Sequence, residues 1–158
     1  MDTHIERDVR ADALTVYRLA AAVEEWPRIL PHYRFVRVLD VISERTRAVE
    51  MAARRDVLGT VGFPLRWTAV QSVDPDEPRI AFEHIAGVTR GMHVTWSFDT
   101  VPSHGVRVRI RHVFQPHWPV PEIALRLIVG EYFVNGVARR TLRTLAALAE
   151  ATPTAAAH

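Results

Sequence analysis

The stretch PEIALRLIVGEYFVNGVARRTLRTLAALAE, Pro121 to Glu150, decides the fold. Its apolar and small residues recur at Ile123, Leu127, Gly130, Val134, Val137, Ala138, Leu142, Leu145 and Leu148, the steps of three and four that mark one face of an α-helix. Arg126, Arg139, Arg143 and Glu150 lie largely off that face. Pro119 and Pro121 end any preceding strand, and Glu122 falls in the first turn, where the helix dipole favours an anion. Such a helix is about 40 Å long. Apolar on one side only, it must lie against something broad. Gly130 and Gly136 weaken a helix interior, so they point to a place where another surface or a ligand comes close.

Working outward, the chain before Pro121 supplies that broad surface. Thr3 to Val9 alternates Ile5, Arg7 and Val9 against His4, Glu6 and Asp8, a first strand. Ala11 to Glu25 takes helical period, Trp26-Pro27 is expected to break it, and Arg28 to Leu30 forms a second short turn closed by Pro31. Six strands follow: Tyr33 to Ile42, Arg47 to Arg55, Leu65 to Val73, Arg79 to Ile85, Met92 to Val101 and Val106 to Phe114. The Asp74-Pro75-Asp76-Glu77-Pro78 cluster and Gly62, Gly87, Gly91 and Gly105 punctuate the links. Spacing of this kind suits sequential antiparallel hairpins. The expected class is α+β: a curved seven-stranded antiparallel sheet wrapped on the long C-terminal helix, with two short helices after the first strand. A bent sheet and a straight helix leave an internal cavity between them, a space suited to small molecules. Residues 1–150 read as one domain and Thr152 to His158 as a frayed tail.

Composition limits the function classes. The chain has 158 residues, 48% of them hydrophobic, and no Cys, so disulfides and thiolate chemistry are excluded. No apolar run is long enough to span a bilayer and no signal segment opens the chain, which makes a cytoplasmic location the expectation and stable membrane insertion unexpected. Net charge is +2, yet the pI is near 9.6, because all 20 basic residues are Arg. Without Lys there is no Schiff-base mechanism. The arginines are scattered rather than interleaved with aromatics on one face, so nucleic acid is not an expected partner. The histidines stand on separate elements without metal-ligand spacing, and no Gly-rich phosphate loop follows a strand. No metal or cofactor is implied.

The element order, Val16-Tyr17-Arg18-Leu19-Ala20, the segment Glu25-Trp26-Pro27-Arg28-Ile29-Leu30-Pro31-His32-Tyr33, and the block from Ile80-Ala81-Phe82 through Gly87, Gly91-Met92 and Thr95-Trp96-Ser97-Phe98 resemble the START-type helix-grip superfamily. Within it the chain is most similar to the polyketide cyclase/dehydrase group, which includes aromatase/cyclases and coenzyme Q-binding START proteins. The resemblance implies a helix-grip fold over roughly residues 3–150 and a hydrophobic ligand: a polyketide, a lipid or a quinone. It also implies pocket positions for Trp26, Leu30, Tyr33 and Trp67. Where such cyclases carry a serine and an arginine, two and four residues after that tryptophan, this chain has Ala69 and Gln71. Gln71 can hydrogen-bond a carbonyl or serve as a wall, but it lacks the charge that would polarise a ketone.

Strand parity supplies the remaining candidates. His112 is in register with Val106, Val108, Ile110 and Phe114, and His84 with Ile80 and Phe82, so both should face inward. A histidine tuned near neutrality suits enolisation, although on an apolar face it can equally be a core residue. Tyr33 could donate to a forming alkoxide. Tyr33, His112 and His84 are therefore the catalytic candidates, with Trp26, Leu30, Trp67, Gln71, Phe82, Met92, Trp96, Phe98, Gly130 and Val134 as binding candidates. Arg107, Arg109 and Arg111 should face outward, either paired with cross-strand acids such as Glu6, Asp8 and Asp99 or docking an acyl carrier protein. Two functions fit: an enzyme that folds a reactive polyketide toward ring closure, and a carrier of lipid or quinone.

Overall fold

The computed structural model describes residues 1–56, 62–103, 105–116 and 119–152. Seven strands form one antiparallel sheet: β1 (Asp2–Val9), β2 (Tyr33–Ser43), β3 (Thr46–Asp56), β4 (Gly62–Asp74), β5 (Arg79–Gly87), β6 (Met92–Val101) and β7 (Gly105–Phe114). Their spatial order is β1-β7-β6-β5-β4-β3-β2, so β2 to β7 are sequential hairpins and β1 returns to pair with β7. Alternation governs the faces. On β7, Val106, Val108, Ile110, His112 and Phe114 are buried, whereas Arg107, Arg109 and Arg111 are exposed. Each of those arginines meets a carboxylate of β1: Asp8 at 2.8 Å, Glu6 at 2.9 Å and Asp2 at 2.5 Å. The ladder is thus a matched set of cross-strand pairs, with Asp2 in the place expected for Asp99.

Between β1 and β2 lie α1 (Ala13–Ala21), a 3₁₀ turn (Val23–Glu25) and α2 (Trp26–Ile29). The helical run breaks at Ala22 (φ −81°, ψ 62°), earlier than the expected break at Trp26-Pro27. Proline in a first turn gives up an amide that has no intrahelical partner anyway, so Pro27 starts α2 rather than ending a helix.

The C-terminal helix runs through three consecutive pieces: α3 (Glu122–Leu125), a π-helical stretch (Arg126–Ala138) and α4 (Arg139–Ala151). The expected face holds over its second half, where Val134, Val137, Ala138, Leu142 and Leu145 are buried. It fails at the ends: Ile123 is 71% exposed, Leu127 58% and Leu148 37%. The i→i+5 bonds of a π-helix widen each turn, so a stripe spaced for an α-helix drifts off the sheet when continued back through residues 126–138. The π-helical stretch packs on β3 and β7, and α4 on α1 and β1. No helix among the described residues is long and apolar enough to cross a membrane. Residues 153–158 of the expected tail lie outside the described residues.

Gly105, which opens β7, sits at φ +97°, and a Cβ there would stand 2.3 Å from the Val9 carbonyl oxygen. Gly105→Ala should therefore lower unfolding free energy by about 2 kcal/mol or more. A urea midpoint unchanged from that of the parent protein would refute this account of the β1–β7 seam.

Candidate functional site

A small cavity of about 50 Å³ lies between the concave face of the sheet and the helix. That is room for one or two water molecules. Its walls are mostly rings. The Trp26 indole, carried by α2, stands 5.0 Å from Tyr33, 6.0 Å from Trp96 and 6.5 Å from Phe82. Tyr33, the first residue of β2, is 6.2 Å from Trp67. Met51, Val94 and Ile110 complete the sheet side, and Val137, Ala138 and Thr141 close the space from the helix. Trp26 has no unmet polar need, because its Nε1 donates to the Leu19 carbonyl at 3.1 Å.

The polar equipment is uncharged. His84 stacks on Trp67 with the rings at 1° and 5.8 Å, and its Nδ1 lies 2.7 Å from the Thr89 hydroxyl. Burial, reinforced by the neighbouring His112 and His93, pushes its pKa down to about 3. His112 is 2% exposed; burial alone pushes its pKa to about 4, and its Nδ1 has no hydrogen-bond partner among the described residues. A neutral imidazole costs far less to bury than an imidazolium, and the aromatic shell enforces that form. A base tuned near neutrality was expected at His112; the structure puts its pKa well below.

Two further residues complete the site. His32 Nε2 and Thr141 Oγ1 are 2.8 Å apart, a buried bond that ties the start of β2 to α4 across 109 residues of chain. Burial is the largest cause that lowers the His32 pKa to about 4; nearby Arg140 adds to it and a contact with the Val137 carbonyl opposes it. Thr141 lines the cavity. His32 stands inside the Glu25-to-Tyr33 segment and Thr141 one helical turn past Val137, but nothing in the sequence brings them together. Parity had already placed Ile110 on the inner face.

The structure brings Tyr33, His84, His112, Trp26, Trp67, Phe82 and Trp96 around one volume. It sends the other candidates elsewhere. Leu30 is buried in the core just beyond α2, and Met92 is buried at the start of β6 beside Phe114. Phe98 has passed beneath α1, its ring 5.8 Å from Tyr17. Val134 is buried one turn ahead of the cavity wall, and a Cβ on Gly130 would meet nothing within 4 Å, so neither presses on the cavity. Gln71 is inward but lies too far along β4. Its Nε2 donates to the Ala21 carbonyl at the end of α1, and its Oε1 accepts from Arg47 at 2.7 Å. Among the described residues no group of three or more His, Asp or Glu could hold a metal ion.

Comparison with known proteins places the chain. A family model described as polyketide cyclase/dehydrase and lipid transport matches residues 9–139. A granaticin polyketide synthase bifunctional cyclase/dehydratase of Streptomyces virginiae is 31% identical over 110 residues, covering 68% of this chain and 34% of the relative. The chain therefore spans about a third of that relative's length. The Zhui aromatase/cyclase of Streptomyces sp. R1128 superposes with a TM-score of 0.73 at 21% identity, over 95% of this chain and 94% of that one. A START superfamily protein of Mycobacterium smegmatis gives a TM-score of 0.68 at 14% identity, over 94% and 97%. The two structures share the fold.

Neutral burial of His84 and His112 ties stability to pH. Their pKa values of about 3 and about 4 lie below the unfolded value of 6.5. As pH falls below 6.5 the unfolded chain takes up protons that the native state refuses. Stability is thus complete above that point and erodes as pH falls toward 4 and 3, by roughly 1.4 kcal/mol per pH unit for each imidazole. Urea midpoints at pH 7, 6 and 5 should show the decline, and His112→Phe should make it shallower. An equal slope in that variant would show that His112 is not the titrating group.

Proposed function

The chain belongs to the polyketide cyclase/dehydrase and lipid transport family, and we propose that within it this protein is a cyclase that folds a reactive polyketide and steers its ring closure. The observation that carries this reading is the convergence of Tyr33, His84 and His112 on one aromatic-walled cavity. A cavity built only to carry a lipid needs no such groups.

Poly-β-ketone methylenes lie between two carbonyls and are already acidic, so most of the acceleration comes from holding one carbanion against one ketone. The flat walls of Trp26, Trp67 and Trp96 favour a planar, folded chain over an extended one. Tyr33 is the donor for the oxygen that becomes an alkoxide. His112 is the proton acceptor. At a pKa of about 4 it is a weak base in the empty cavity, but an enolate forming beside it favours the imidazolium and strengthens it as the proton moves. Returning that proton to the new alkoxide gives the ring hydroxyl; removal of the second proton from the same carbon, and its delivery to the departing hydroxide, breaks the C–O bond and releases water.

A polyketide needs several times the present volume. Sheet strands are locked by their ladders, so the wall that yields is the helical one, carrying Val137, Ala138 and Thr141. An acyl carrier protein is the proposed deliverer of the substrate. Carriage of a lipid or quinone is the second reading, favoured by the absence of any Arg, Asp or Glu among the described residues that line the cavity.

Incubating a linear poly-β-ketone with and without the protein, and resolving the products chromatographically, tests the proposal. The protein should concentrate the mixture into one cyclised product, and Tyr33→Phe should slow its formation roughly tenfold to a hundredfold while leaving the melting temperature in place. An unchanged product distribution, together with a stoichiometric lipid or quinone extracted from the purified protein, would replace cyclisation with carriage.

A further inference from the structure

β2 is one of the two edges of the sheet, with β3 on one side and no strand on the other. Edge strands in soluble proteins are commonly short or charged, which discourages a second strand from adding. This one has 11 residues and an apolar middle: Val38, Leu39, Val41 and Ile42 are 40–69% exposed. No other stretch of the described residues exposes as many large apolar side chains together, and a contiguous apolar patch of this kind marks an interaction site. We infer that the edge pairs with β2 of a second copy of this chain, antiparallel about a two-fold axis at Val38, to form a symmetric dimer.

Self-complementarity singles out this partner. A two-fold antiparallel pair sets each position opposite the one equally far beyond the axis. The ladder to β3 fixes those distances, because Leu39 and Ile42 stand at register shifts and take no rung of their own. One rung from Val38 lie Arg37 on one side and Asp40 on the other; two rungs away lie Val36 and Val41. The two-fold therefore puts Arg37 opposite Asp40 and Val36 opposite Val41, twice each, while Val38 meets its own copy. An axis at either neighbouring rung would set Arg37 or Asp40 against itself, so charge selects this register. Arg37 reaches Glu50 at 3.3 Å across its own rung and is 62% exposed, which leaves its guanidinium room for a second carboxylate. The apolar side chains of both copies, with Phe35 and the Arg37 stems beside them, suit the lower end of stable interfaces, about 1,200 Å² in total. The edge amides and carbonyls gain partners in the same step. The pair also closes. The other edge, β1, carries Asp2, Glu6 and Asp8 bound to β7 arginines and lies against α4, so assembly stops at two rather than running on as a fibre.

Sedimentation equilibrium of the full chain over a concentration series tests this, and a dimer is expected by about 100 µM. Arg37→Asp and Asp40→Arg each set like charges opposite one another at two points, and each should weaken association roughly tenfold or more. An equimolar mixture of the two variants restores opposite charges at both points and should dimerise like the parent. Such rescue acts only between chains, so it separates the interface from an effect within one fold. Both positions are exposed, and each variant should keep the circular dichroism spectrum of the parent. A parent chain that stays monomeric at about 100 µM would overturn the inference and leave the edge to a strand of another protein. A dimer that both substitutions leave intact, or a mixture that does not recover, would overturn it as well. Of β2 only Tyr33 lines the cavity, so neither result bears on the proposed cyclisation.

Discussion

The indole of Trp26, 2% exposed, fills the middle of the concave face and touches rings from three strands. An antiparallel sheet with alternating side chains has an apolar inner face that it cannot cover alone. Here α2 brings a wedge to its centre and the C-terminal helix lies over the rest. The wedge is held at its one polar atom by the Leu19 carbonyl, so its position is coupled to α1. Large flat rings meeting a straight helix do not interlock completely, and the remaining gap is the cavity. Fold and site are thus consequences of one packing problem.

The same shell determines what polar groups can exist inside it. His84, His112 and His32 are all held neutral, with burial the leading cause in each case. Two of them bond a threonine hydroxyl through one ring nitrogen, His84 to Thr89 and His32 to Thr141. A hydroxyl can donate or accept, so it suits a neutral imidazole without adding charge. His32 and His112 each keep an Nδ1 without a hydrogen-bond partner among the described residues, and of the two only His112 lines the cavity. A buried polar atom left open toward a cavity costs stability unless something that enters the cavity bonds to it. That makes His112 the group whose presence packing explains least and ligand binding explains best.

Two sequence periods made most of this legible. Period two assigned the faces of β5 and β7, and with them His84 and His112, because a strand side chain can point only in or out. The helical period located the covering helix but misjudged its ends, since Ile123 and Leu127 fit an α-helical stripe and the chain there winds with a wider turn. Distance along a strand was also invisible. Gln71 and Phe98 have the right parity but lie four residues past Trp67 and two past Trp96, far enough to meet α1 instead of the cavity. The His32–Thr141 bond joins residues 109 apart; no local pattern encodes it.

Position 71 shows how the charge was kept out of the cavity. The resemblance to aromatase/cyclases would put an arginine there, and an arginine does stand directly across the ladder, Arg47 on β3. Its guanidinium is committed to Gln71, to the Ala21 carbonyl at 3.2 Å and to Glu24, so it caps the end of α1. Turning it inward would break all of these bonds and move a charge into an aromatic enclosure, where desolvation is severe. On the proposed reading, any enolate formed in this cavity must then be stabilised by Tyr33, by the His112 imidazolium that arises with it and by its own structure, with no permanent cation to help. An isolated ketone gives an enolate too basic for that help. A carbanion flanked by two carbonyls spreads its charge over both oxygens, leaving less for the protein to do, and that is the kind of substrate an uncharged pocket selects.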